Sequence, residues 1–135
     1  MKESLTTGLT VTREITVDAP RTIGFMGEGA RVYATPALVA DIEQTCRDLL
    51  KRHLDDSEDS VGTRVEIDHM AATPEGLKVT IQAMIASVEG RLIGFDVVAH
   101  DPIDQICRCG HNRFVVDIEK TKERLAVKAA RAGQV

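Results

Sequence analysis

The sequence predicts an α+β fold in which a curved antiparallel sheet wraps around one buried helix. Three observations carry that prediction. One segment repeats apolar residues at helical spacing, at Leu38, Val39, Ile42, Cys46, Leu49 and Leu50. Later segments alternate apolar and polar residues, the signature of half-buried strands. The turns joining those segments are too short for parallel crossovers, so the strands must be antiparallel neighbours.

Each element can be justified in order. Leu9 to Val17 (LTVTREITV) alternates and reads as the first strand. Arg21 to Ala30 is rich in glycine, has no period and reads as a loop; Arg31 to Ala34 leads on as a short extended piece. Thr35 followed by Pro36 has the chemistry of a helix start. A threonine hydroxyl can cap the free N–H groups, and proline lacks one that would go unpaired there. The polar run Asp55 to Ser60 closes the helix as an acidic loop. Val61 to Met70 alternates imperfectly, Ala71 to Gly76 (AATPEG) is a turn with Pro74 and Gly76 as breakers, and Leu77 to Val88 alternates well. Glu89-Gly90 suits a hairpin turn. Arg91 to His100 and Gln105 to Val116 are the last strands, joined through Asp101 to Asp104. A polar helix is expected over Asp117 to Ala130. The 135 residues form a single expected domain, with 1–8 and 128–135 as ends outside its ordered part.

Composition excludes several function classes. A net charge of −4 argues against nucleic-acid binding, which needs a basic stripe. The one basic cluster, Lys120, Lys122, Arg124, Lys128 and Arg131, has Glu119 and Glu123 among it and reads as a solvated helix face. Met1 to Thr10 has no apolar core of a secretion signal, and no stretch reaches the ~20 apolar residues of a membrane span, so no membrane partner and a cytoplasmic location are expected. Cys46, Cys107 and Cys109 fit neither a disulfide framework nor a zinc site. They read as reduced thiols in small positions, with Cys107 and Cys109 on one strand face.

An ordered set of motifs then resembles one family. Val32 to Pro36 (VYATP) is followed by Glu43, then Gly62-Thr63, then His69 to Gly76 (HMAATPEG) running into LKVTI. Ser87 to Arg91 (SVEGR), His100-Asp101 and His111 to Arg113 (HNR) follow. Across Val32 to Lys120 the chain looks like the hot-dog thioesterases typified by the fluoroacetyl-CoA-specific enzymes. The resemblance implies the hot-dog fold, a homodimer formed by edge-to-edge pairing of sheets, two active sites at its interface, and an acyl-CoA substrate with no metal or cofactor. Pairing would also resolve the problem of open sheet edges.

The resemblance also implies roles. Thr35, Glu43 and His69 match the family's catalytic positions, and thioester hydrolysis can use what they offer. A hydroxyl can attack or hold a water, an imidazole can take its proton near neutral pH, and a carboxylate can orient that imidazole or activate water itself. Gly62 and Arg113 match positions that contact the substrate; glycine admits a close backbone N–H and arginine supplies fixed donors. His100 and His111 read as structural or peripheral. Taken singly, Thr35 also reads as a helix cap, Glu43 as an exposed helix carboxylate and Arg113 as a surface ion pair. Eight residues of helix span ~12 Å with a rotation of ~80°, so Thr35 and Glu43 in one continuous helix cannot touch a single atom.

One departure bears on substrate. The fluoroacetyl-specific enzymes carry aromatic residues in the segment before the ATP-like turn, as a lid over the acyl pocket. Gly24 to Ala30 holds one Phe and three Gly here and cannot make that rigid gate, which argues for a broader acyl-CoA substrate. The alternative from another class is a non-catalytic module that binds acyl-CoA or another small ligand. A hydratase or dehydratase of the same fold is disfavoured, because its His with Asp or Glu motif is missing.

Overall fold

The computed structural model describes residues 1–133. Strands β1 (Thr10–Thr16), β4 (Glu58–His69), β5 (Lys78–Glu89), β6 (Leu92–His100) and β7 (Gln105–Asp117) form one antiparallel sheet in the order β1-β5-β6-β7-β4. Two-residue strands β2 (Thr22–Ile23) and β3 (Val32–Tyr33) pair separately, just before helix α1 (Thr35–Lys51). Helix α2 (Ile118–Gly133) follows β7 directly.

Strand alternation sorts the sheet into two faces. Val79, Ile81, Ala83 and Ile85 of β5, with Ile93, Phe95, Val97 and Ala99 of β6, point inward and are buried. They meet Leu38, Ile42, Cys46, Leu49 and Leu50, the apolar face of α1. Burial of each large side chain is worth about 1.5–3 kcal/mol, so this single cluster holds the sheet curved around the helix. Gly90, at φ +63°, makes the β5–β6 turn that the sequence indicated. The fold is the α+β arrangement expected, with β1 and β4 at its edges.

Three details differ from the sequence reading. The helix begins at Thr35 with Ala34 as its N-cap and no side-chain cap hydrogen bond, so Thr35 is not the cap. The acidic run does not stay a loop, because β4 starts at Glu58. Charge pairing explains this: Glu58 is buried against the Met1 ammonium group and Arg91, and Asp59 meets Arg47. Finally, residues 1–8 are tied to the body. The Lys2 N–H donates to the His53 carbonyl at 2.9 Å, Leu5 is buried, and the Gly8 N–H donates to the Ile85 carbonyl at 2.8 Å. At the other end helix α2 runs on to Gly133; positions 134 and 135 of the expected loose end lie outside the described residues. The three cysteines are free and buried, and burial pushes the thiols of Cys46 and Cys107 up to about 12. No helix among the described residues is long and apolar enough to cross a membrane.

Candidate active site

The predicted site residues fall into two groups. Thr35 is the first residue of α1 and His69 the last of β4, and they meet with Oγ1 2.7 Å from Nδ1. The Tyr33 ring stands edge-on to the imidazole, 6.4 Å between centroids at 81°. Burial alone pulls the His69 pKa below its ordinary value, so the ring is neutral at physiological pH and free to accept a proton. Its Nε2 is buried and has no hydrogen-bond partner among the described residues.

Beneath this pair lies a charged anchor. The Tyr33 hydroxyl donates to Asp41, whose carboxylate also receives two hydrogen bonds from Arg21, at 2.9 and 3.1 Å. Burial and that carboxylate raise the Tyr33 pKa well above its usual value, so Tyr33 stays a neutral donor. Beside Thr35 and His69 opens a cavity of about 300 Å³, walled by Ile23, Phe25, Val32, Met70 and Ala71. A larger groove, about 650 Å³, crosses the outer face of β1, β5, β6 and β7 but contains no histidine. Chemistry rather than size marks the smaller cavity as the candidate site.

The second group is Glu43, Gly62 and Arg113. Gly62 and Arg113 are register partners on β4 and β7, next to an irregularity between Gly62 and Arg64. Arg113 is buried rather than at the surface. Its Nε donates to Ser60 Oγ at 2.8 Å and its Nη2 to the Ser60 carbonyl at 3.0 Å. Its Nη1 reaches His111 Nε2 at 3.2 Å and the Glu43 carboxylate at 3.6 Å. Since a guanidinium only donates, His111 Nε2 must accept and Nδ1 must carry the proton, which it gives to the Arg64 carbonyl at 2.8 Å. Burial lowers the His111 pKa and keeps it in that neutral form, stacked on Phe95 at 6.1 Å. A Cβ on residue 62 would lie 2.8 Å from Glu43 Oε2. A side chain there would collide with the carboxylate, which fills the space.

Within one chain, then, Thr35 touches His69, while Glu43 belongs with Arg113; no hydrogen bond or ion pair among the described residues joins the two groups. This agrees with the helical geometry that separates Thr35 from Glu43. Sequence reasoning missed Tyr33, Asp41, Arg21 and the position of His111. A signal existed for the last: the parity that puts Cys107 and Cys109 on one face of β7 continues to His111 and Arg113, all four of them buried. His100 is exposed and stands outside both groups.

Comparison with known proteins points one way. The family described as fluoroacetyl-CoA-specific thioesterase matches residues 17–119. A fluoroacetyl-CoA thioesterase of Streptantibioticus cattleyicolor is 33% identical, over 95% of this chain and 97% of its own. The solved structure of the fluoroacetyl-CoA thioesterase FlK superposes with a TM-score of 0.85 at 32% identity, covering 93% of this chain and 98% of that one. A hot-dog-like protein from Thermanaerovibrio acidaminovorans superposes at 0.83 with 22% identity, over 90% and 91% of the two chains, a likeness of fold alone.

Proposed function

This chain belongs to the fluoroacetyl-CoA-specific thioesterase family and is a thioester hydrolase of the hot-dog fold, and we propose that it cleaves acyl-CoA through Thr35 and His69. The observation that carries this assignment is the 2.7 Å contact between a hydroxyl that caps nothing and an imidazole kept neutral by burial. Thr35 Oγ1 attacks the thioester carbonyl as His69 Nδ1 takes its proton. Collapse of the tetrahedral intermediate breaks the C–S bond, and the departing thiolate takes that proton to leave as free CoA. Water then attacks the acyl-threonine ester with His69 again as base, releasing the acid and restoring Thr35.

Glu43 completes the site across a homodimer. Strand β4 is an open edge on which Val61 to Glu66 are all exposed, and an open edge of that length calls for a partner. Antiparallel pairing of two β4 strands runs the His69 end of one toward Gly62 and Glu43 of the other. Along its own strand Gly62 is seven residues from His69, ~23 Å of extended chain. Arg113, buried beneath Glu43 and fixed by Ser60 and His111, holds the carboxylate in place rather than reaching the substrate. The substrate is a small apolar acyl group rather than fluoroacetyl alone. The cavity walls are mostly apolar, and residues 24–30 beside them carry Phe25, 91% exposed, as their one aromatic among three glycines.

Thiol release from a panel of acyl-CoAs of varied chain length and polarity tests the assignment. Turnover of several short apolar esters, abolished in His69→Ala, is the expected result. No turnover of any ester, or turnover unchanged in that variant, overturns it.

A further inference from the structure

Helix α2 is amphipathic yet none of its residues is buried. Lys120, Arg124, Lys128 and Arg131 recur every three or four residues and so share one face. None of the four forms an ion pair among the described residues, whereas neighbouring Lys122 meets Glu119 at 3.2 Å. Ile118, Leu125, Ala129 and Ala132 make a second strip along the same helix, with Leu125 60% exposed. A helix of 16 residues is marginal in water unless its apolar strip is covered. A surface lying against that strip would stabilise the helix.

The topology selects a second copy of this chain. Helix α2 is rooted where the Ile118 N–H meets the Ser57 carbonyl, at the start of β4. Thr35 and His69 lie at the other end of that strand, about 36 Å away. A helix of this length covers ~24 Å, so α2 cannot reach the cavity of its own chain. Antiparallel pairing of two β4 edges brings the start of one strand beside the end of the other. There Phe25, Met26 and Met70 stand exposed at 91%, 73% and 47%, an apolar surface to receive the Leu125 strip.

We propose, on the thioesterase assignment and the edge pairing given above, that α2 crosses onto the partner subunit and presents its four cations to the phosphates of the CoA bound there. The chain as a whole is anionic at −4, so a polyanionic substrate needs such a local positive strip to be held. A phosphomonoester and a pyrophosphate bridge, spread along the nucleotide end of CoA, match cations spread along a helix face.

The test neutralises the face in Lys120→Gln/Arg124→Gln/Lys128→Gln/Arg131→Gln. Removing four exposed cations that together face the phosphates should raise KM for acetyl-CoA about tenfold. The affinity for free CoA measured by calorimetry should fall equally, and the preference for acetyl-CoA over acetyl-pantetheine, which lacks the phosphates, should collapse. Hybrids purified through two affinity tags, one subunit His69→Ala and the other carrying the four substitutions, then separate the arrangements. If α2 acts across the dimer, the hybrid keeps one whole site and shows the unmodified KM at half the maximal rate. Unchanged CoA affinity in the neutralised protein, a hybrid with only the raised KM, or a monomer in sedimentation each overturns the proposal. If the thioesterase assignment alone is wrong, the unmodified protein releases no thiol while its CoA affinity still falls on neutralisation.

Discussion

The Glu43 carboxylate fills the space that a side chain on Gly62 would need, with Oε2 2.8 Å from the position of a Cβ there. The neighbour that must give way is the far end of a flexible side chain rather than backbone. Gly62→Ala should therefore still fold, with its unfolding midpoint lowered by roughly a few degrees, because Glu43 swings off the buried Arg113 and the His111 ring, 3.3 Å from the new Cβ, must shift. We expect kcat to fall by up to about 10²-fold, the scale on which misplacing one positioned group acts. Stopped-flow thiol release beside a thermal melt checks this. A large loss of stability, or full activity, would contradict the account of Gly62.

Thr35 separates catalysis from capping. A lost N-cap hydrogen bond costs about 1 kcal/mol, but Ala34 is the N-cap and the Thr35 hydroxyl is spent on His69. Thr35→Ala should thus leave the unfolding free energy within ~0.5 kcal/mol of the unmodified protein, as for a surface substitution, and reduce kcat by 10²-fold or more. Thr35→Ser, which keeps an oxygen at that position, should restore most of the rate. Denaturant melts and initial rates on the two variants decide the matter.

Burial depresses the pKa of both His69 and His111, and two consequences have definite signs. His69 must be neutral to act as base, so kcat/KM should rise with pH through a midpoint below 6.5 and level off by neutrality. Stability should move the same way. Between the ordinary histidine value and the lower folded values, the unfolded chain binds more protons than the folded one, so stability falls as pH drops through that window and this contribution stops changing below it. In His69→Gln the kinetic midpoint should vanish and part of the stability slope with it. A rate profile flat from pH 5 to 8 would contradict the role given to His69.

Much of this was legible in the sequence, for reasons that particular residues make clear. The spacing of Leu38, Ile42, Cys46 and Leu49 could only suit a buried helix face, and the alternation through Val79, Ile81, Ala83 and Ile85 only a half-buried strand. What escaped were facts decided by distant partners. Glu58 looked like loop because its partners are residues 1 and 91, far away along the chain. Thr35 looked like a cap because local chemistry allows it, whereas the assignment of Ala34 depends on the backbone turning one residue sooner. The separation of Glu43 from Thr35 was readable from helix pitch, but its attachment to Arg113 was not, since β4 and β7 meet only in the folded sheet.

Arg113 gives the sharpest test of the buried polar group. Its guanidinium satisfies Ser60 Oγ, the Ser60 carbonyl and His111 Nε2, and it faces the Glu43 carboxylate. Truncation to Ala leaves those acceptors buried without donors and opens a cavity beneath Glu43. Losing one partner of a buried charged network costs about 3 kcal/mol or more, which for a domain of this size lowers the melting temperature by roughly 10 °C. Arg113→Lys should recover little, because a single ammonium cannot serve acceptors disposed along a planar fork. The stability loss should be accompanied by a fall in kcat, and His111→Asn should reproduce a milder form of both, since it removes the acceptor that orients Nη1. Melts and rates on the three variants together test this. If Arg113→Lys proves as stable and as active as the unmodified protein, the guanidinium is not the fixed support of Glu43.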